Sequence, residues 1–184
     1  IDEYISNHDC EIHDRVPVNI RGEKINLVVY KLPIEILYYN IRNGRFAAEY
    51  RNEVKKEGGI LSPEKKEDAK KIQNLLWRLN VNDSEDTYED ILQRGQWRPG
   101  IITEDGYVID GNRRMAILSK LFTDTGNDEF KFIKVGRLPS NIEKTDLWKL
   151  EAGLQLGREE IVKYGPMNEL LKLEEAKMLE ISNE

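Results

Sequence analysis

Two adjacent arginines, Arg113 and Arg114, follow Asp110-Gly111-Asn112 at the point where the β-prone run Tyr107-Val108-Ile109 breaks off. Asp-Gly ends a strand readily, because glycine takes backbone conformations closed to other residues and aspartate hydrogen-bonds its own turn. From Met115 the apolar residues Met115, Ile117, Leu118 and Leu121 recur at helical spacing, which predicts a helix with Asn112, Arg113 and Arg114 at its mouth. The first N–H groups of a helix have no partner within it, and they lie at the positive end of its dipole. Gly111 lets a ligand approach that backbone, and the arginines add fork-shaped donors matched to phosphate or carboxylate oxygens. The chemistry expected of these residues is capture of an anion. They also read as a plain strand-turn-helix with Asp110 as the N-cap and both guanidinium groups in water.

A triphosphate needs more than one cation at its side, and Arg45, just after the Asn43-Gly44 turn, is a further source of positive charge. Mg²⁺ is the metal that suits such a ligand, held by one or two carboxylates together with phosphate oxygens and water. Asp110 is open to three roles: capping the helix, holding an arginine, or orienting a metal-bound water. Glu49, four residues after Arg45, is the candidate general base. His8, Cys10 and His13 have the residue types of a zinc site, but a fourth ligand and a known spacing are both missing, so they are read as part of a polar arm.

Elements that would position these residues can be marked along the chain. Ile25 to Lys31 is a strand candidate that Pro33 stops, and Asn40 and Asn43-Gly44 mark turns after it. A helix is predicted from Ser62 as N-cap and Pro63 at the first position, with Ala69, Ile72, Leu75, Leu76 and Leu79 on its apolar face and lysines on the wet one. A second helix spans about Ser84 to Gln93 and ends at Gly95. Gly100 to Thr103 and Tyr107 to Ile109 make a hairpin around Glu104-Asp105-Gly106. The helix after the turn runs to Phe122, Phe130 to Val135 alternates as a half-buried strand, and Asn141 to Leu156 reads as helix. A last amphipathic helix from about Pro166 is suited to packing on the domain or on a second copy of the chain, giving a homodimer. The expected fold is α+β, a small mixed sheet flanked by helices. Residues 1–15 are read as a flexible N-terminal arm, 16–140 as the core, whose nucleotide-binding role is what the family resemblance described below implies, and 141–184 as a C-terminal helical annex.

With 184 residues the chain is long enough for a substantial core, and 39% hydrophobic with 34% charged residues is a globular balance. A net charge of −6 argues against a surface that grips nucleic acid non-specifically. No apolar run reaches the roughly 18–20 residues that span a bilayer, and no signal-peptide pattern opens the chain. One cysteine allows no internal disulfide, so the location expected is cytoplasmic. The chain opens on Ile1, and it is read as a piece of a longer protein whose other regions would carry any DNA contact.

The stretch Gly106 to Leu121 resembles the second conserved box of the ParB N-terminal domain, in which a strand ends in a Gly-Glu-Arg-Arg turn and a helix follows. It is similar as well to the phosphate loop of the related sulfiredoxin fold. Gly95-Gln96-Trp97-Arg98-Pro99-Gly100-Ile101 resembles the approach to the preceding strand, and Leu37 to Arg45 the first box, which ends in an arginine. Glu151-Ala152-Gly153-Leu154-Gln155-Leu156-Gly157-Arg158-Glu159 is a loose echo of the third box, with Ala152 where the family has asparagine. The resemblance covers roughly residues 25 to 176. It implies a ParB/sulfiredoxin-like fold that binds CTP or ATP with Mg²⁺ through Arg45, Gly111, Asn112, Arg113 and Arg114, with Glu151 near the metal and Gln155 beside it. On its residues alone, the Glu151 segment reads as an amphipathic helix with that carboxylate solvated. Sulfiredoxin chemistry is set aside, since Asn112 stands where that loop needs a nucleophilic cysteine, and an amide cannot do thiolate chemistry.

The reading that follows is a nucleotide-binding domain that hydrolyses a triphosphate, or uses it as a switch, in a DNA-related process such as segregation, a plasmid function or phage defence. A metal-dependent nuclease or DNA-binding module of the same superfamily, with Asp110, Glu49 or Glu151 on the metal, is one alternative. A protein-interaction module without catalysis is the other.

Overall fold

The computed structural model of the chain describes residues 1–41, 47–57, 59–156 and 177. Six strands form one mixed sheet. An antiparallel hairpin of β1 (Glu11–Ile20) and β2 (Glu23–Pro33) occupies one side, and β6 (Phe132–Arg137) pairs antiparallel with β2. β6 runs parallel to β4 (Gly100–Ile102), which is antiparallel to β5 (Tyr107–Asp110). The far edge is the two-residue β3 (Tyr38–Tyr39), parallel to β5. Among the described residues six α-helices accompany the sheet: α1 (Asp2–Asn7), α2 (Ala47–Glu57), α3 (Lys66–Arg78), α4 (Val81–Arg94), α5 (Asn112–Thr125) and α6 (Lys144–Leu156).

Successive side chains of a strand point to opposite faces, and here that alternation builds two cores. Ile102 and Val108 face a cluster with Ile72 and Leu76 of α3, Ile91 of α4, and Met115, Leu118 and Leu121 of α5. Their neighbours Ile101 and Ile109 face the other way, onto Leu147, Leu150 and Leu154 of α6 and onto Val18, Ile20 and Leu27 of the hairpin. Met115, Ile117 and Leu121 are almost wholly withdrawn from water. Each such side chain contributes about 1.5–3 kcal/mol of burial, so the position of the α5 mouth is set by the body of its own helix.

The hairpin tip is Arg21 (φ 55) followed by Gly22 (φ 81), both in the left-handed region. A two-residue turn of this hand matches the twist of the strands it joins. Arg21 then reaches across to α6, donating to Asp146 Oδ2 from Nε at 3.0 Å and from Nη2 at 2.7 Å, and to Glu143 Oε1 at 3.2 Å. That contact fixes the start of the helix that carries Glu151.

Several elements differ from the sequence reading. Residues 1–15 are built into the fold: they supply α1 and the first half of β1, with Cys10 buried and Ile1, Tyr4 and Ile5 packed on the larger core. β1 escaped notice because Pro17 looks like a breaker. As the outer strand, β1 tolerates a residue without N–H, and a register shift between Ile12 and Arg15 absorbs the polar stretch. α2 was not anticipated, and α3 starts at Lys66 rather than Pro63. Ser62 gives its hydroxyl to Glu64 Oε2 and its backbone N–H to Asp68 Oδ2, closing a turn before the helix instead of capping it. α5 continues to Thr125, beyond Phe122, and stops at Gly126 in the left-handed region. α6 packs on the sheet itself, so the annex drawn from residue 141 begins inside the core. The helix expected from Pro166, and any dimer it would form, lie outside the described residues. No described helix is long and apolar enough to cross a membrane.

Two measurements check this account. A Cβ on Gly100 would lie 2.6 Å from the carbonyl oxygen of Asp110, so Gly100→Ala is expected to destabilise by about 1–3 kcal/mol. Gly153, exposed within α6 with open space around it, is the counter-case, and Gly153→Ala should stabilise by about 0.5–1 kcal/mol in the same denaturant titration. Arg21 beside Asp146 holds that carboxyl below the usual carboxylate range. A group with a depressed folded pKa adds stability above its unfolded value, about 3.9, and loses it as pH falls through the folded value. Asp146→Asn is therefore expected to lower Tm near neutral pH, with the gap to wild type closing as pH drops below about 4.

Candidate functional site

β5 ends in Asp110, and Gly111 turns the chain into α5 with φ 109 and ψ 11, deep in the left-handed region. The N-cap is thus Gly111, which brings no side chain, and not Asp110 as the plain strand-turn-helix reading has it. The first backbone bond of the helix runs from Met115 N–H to Gly111 O at 2.8 Å. The N–H groups of Asn112, Arg113 and Arg114 therefore precede the helical ladder, in the geometry that favours an anion. A Cβ at Gly111 would stand 3.4 Å from Gly100 Cα and 3.5 Å from Arg114 Nη1. β4 passes beneath the turn, and the Arg114 guanidinium folds back over it.

The two arginines diverge, as neighbours on a helix must. Arg113 leans toward α4 and pairs with Asp83 in that helix's first turn, Nη1 to Oδ2 at 3.3 Å, with about a fifth of its side chain exposed. Ion pairs as open as this contribute roughly 0.2–1 kcal/mol. Asp83 gave no sign of this role in the sequence, where it reads only as a helix-starting acid.

Asn112 does not face a ligand. It is 3% exposed, and its amide bridges two segments: Oδ1 accepts from Asn40 N–H at 2.9 Å, and Nδ2 donates to Val108 O at 2.7 Å. The first-box stretch and the turn are thus brought together, but through Asn40, which the sequence shows only as a turn residue. Tyr39, one residue earlier, is buried, and that pushes its phenol pKa up.

The other end of β5 is anchored as well. Tyr107 donates to Glu64, and that bond pushes the phenol up to about 12. Glu64 is held below the usual carboxylate range, first by the Ser62 hydroxyl and then by Tyr107.

The carboxylates are more scattered. Glu49 lies in the first turn of α2, and its Oε2 is buried with no hydrogen-bond partner among the described residues. A carboxylate oxygen in that state is relieved by a cation. Glu151 is on α6, which packs on the face of the sheet opposite α5; it is buried, correcting the solvated reading, because Leu150 and Leu154 turn the helix inward at that point. Gln155 is on the last turn of α6, with only its backbone described, and Arg45 lies outside the described residues.

Among the described residues no group of three or more His, Cys, Asp and Glu side chains could hold a metal ion. A protein-only metal cage is thus not on view, whereas Mg²⁺ arriving on a nucleotide needs only one or two carboxylates. The His8, Cys10, His13 set is dispersed: His8 stacks on Tyr4 at 4.0 Å and meets Tyr4 O through Nδ1, while burial pushes the Cys10 thiol up.

A second cationic feature lies between α3 and α5, a groove of about 240 Å³ lined by Gln73, Asn74, Trp77, Arg78, Ala116 and Lys120. Lys120 there is engaged by Asp124 at 2.8 Å and by the face of Trp77, and the groove has no glycine turn or helix mouth. A glycine turn and a helix mouth beside two arginines occur instead at Asp110 to Arg114. No protein-family model, curated protein or solved structure matches the chain.

Proposed function

We propose that the Asp110–Arg114 turn binds the phosphates of a nucleoside triphosphate, CTP or ATP, and that the chain is a ParB/sulfiredoxin-like domain using it as a switch or hydrolysing it. The observation that carries this reading is the helix mouth itself: a left-handed glycine at the N-cap, which brings no side chain, with Arg114 Nη1 close beside it. The φ of 109 there suits glycine and strains any other residue, and as an N-cap glycine gives up only about a few tenths of a kcal/mol against Ser, Thr, Asp or Asn. Gly111 leaves the backbone donors approachable.

In this reading Arg114 and the backbone N–H groups contact phosphate oxygens, and Arg113 joins them by leaving Asp83. Glu49, half-buried on α2, or Glu151, buried on α6, would hold a Mg²⁺ brought by the nucleotide, which would supply charge neutralisation there. Asp110, at the lip of the turn, orients a water or an arginine. Arg45 completes the clamp from the segment after Asn40, and Gln155 serves beside Glu151. Any contact with DNA in a segregation, plasmid or defence process belongs to other regions of a parent protein, consistent with the net charge of −6.

Calorimetric titration of the whole chain with ATP and with CTP, each with Mg²⁺, is the test. Arg114→Ala is expected to weaken binding at least tenfold, about 1.4 kcal/mol, and Arg113→Ala by a smaller factor, because Arg113 must first give up Asp83. Heatless titrations of the wild-type chain with both nucleotides, with no binding found by equilibrium dialysis, would overturn the proposal.

A further inference from the structure

The attachment of β3 is unusual. Its ladder to β5 consists of Tyr38 opposite Tyr107 and Tyr39 opposite Val108, with one added bond from Tyr38 N–H to Gly106 O. So short a parallel pairing is weak by itself. A second link runs to α5, from Asn40 to Asn112.

Asn112 makes the second link from the first residue of the helix. Its Nδ2 bond to Val108 O spans Ile109, Asp110 and Gly111, so one side chain closes the turn across its base while holding the exit of β3. The direction of the amide is dictated by its partners: the Asn40 N–H only donates and the Val108 carbonyl only accepts. Asparagine supplies both groups at this length, glutamine is a methylene too long, and an ionised aspartate would turn a charge on the Val108 carbonyl.

We infer that Asn112 is a positioning residue: it touches no ligand, and it couples the exit of β3 to the shape of the anion-binding turn. The inference rests on the reading proposed above. Holding the turn closed keeps the N–H groups of residues 112–114 aimed before a ligand arrives, which lowers the ordering cost of binding. The coupling is reciprocal, so an anion on the turn must also tighten the Asn40 N–H bond.

The test uses Asn112→Asp in the full chain, titrated with ATP and CTP plus Mg²⁺ at pH 7.5 and pH 5.0 beside wild type. An ionised carboxylate accepts from Asn40 but repels Val108 O, whereas a protonated one donates and accepts as the amide does. The expected result is at least a tenfold weaker Kd at the higher pH, with full stoichiometry, and a gap to wild type that closes to about threefold or less at the lower pH. A purely structural role would lower stoichiometry or Tm and leave the Kd of the folded fraction at the wild-type value at both pH values, and that result overturns the inference. Should the variant not fold, amide exchange on the wild-type chain decides. Saturation with nucleotide is expected to slow Asn40 N–H exchange at least tenfold more than that of the β1–β2 hairpin amides, and equal slowing overturns the inference. Wild-type chain that binds neither nucleotide sinks the underlying reading and this inference with it, whereas binding without any effect of Asn112→Asp sinks the inference alone.

Discussion

Two glycines pressed against each other govern the geometry of this protein. Gly100 on β4 and Gly111 at the mouth of α5 approach so closely that a Cβ on the first would meet Asp110 O at 2.6 Å, and one on the second would meet Gly100 Cα at 3.4 Å. Backbone packs on backbone there, with no side chain as a spacer. That contact lets a four-residue strand turn directly into a helix whose first residues stay above the sheet, and it confines the turn to one shape. The cores on the two faces then hold the strands and the helix so that the contact persists. Ile101 and Ile109 are pulled toward α6, and Ile102 and Val108 toward α5.

In a chain of net −6 the cations find acidic neighbours, and Arg113 has found Asp83. With 21% and 40% of its side chains exposed, that pair contributes little. Arg21, whose pairing with Asp146 ties hairpin to helix, makes two bonds to one carboxylate oxygen. The number of bonds, and not exposure, separates the two pairs.

Much of the architecture was legible in the residues. The hairpin around Glu104-Asp105-Gly106, the strand-turn-helix, the buried stripe of α5 and the α+β class follow from period and turn chemistry, and the structure has them. What the residues hid were relations between distant segments. Nothing near Asn112 signals that its amide is consumed by Asn40 and Val108, and nothing near Asp83 signals a partner thirty residues on. Glu151 looked like one more charge on a wet helix face, because the inward turn of α6 depends on where the hairpin tip grips its start. Short-range pattern gives the elements, whereas burial of a polar group is decided by which elements meet. β1 was lost for a related reason: Pro17 is a strand breaker only when a second neighbour needs its N–H.

That outer strand has a consequence for behaviour in a crowded solution. Ten residues of sheet margin would ordinarily invite another polypeptide to extend the ladder, the first step toward fibrils. On β1 the row of outward donors is interrupted, once by an imino acid and once by the irregularity between Ile12 and Arg15, and the charged residues Glu11, Asp14 and Arg15 stand in the same stretch. An incoming strand finds only a few consecutive partners before the match fails. The margin is open to water and yet closed to its own kind.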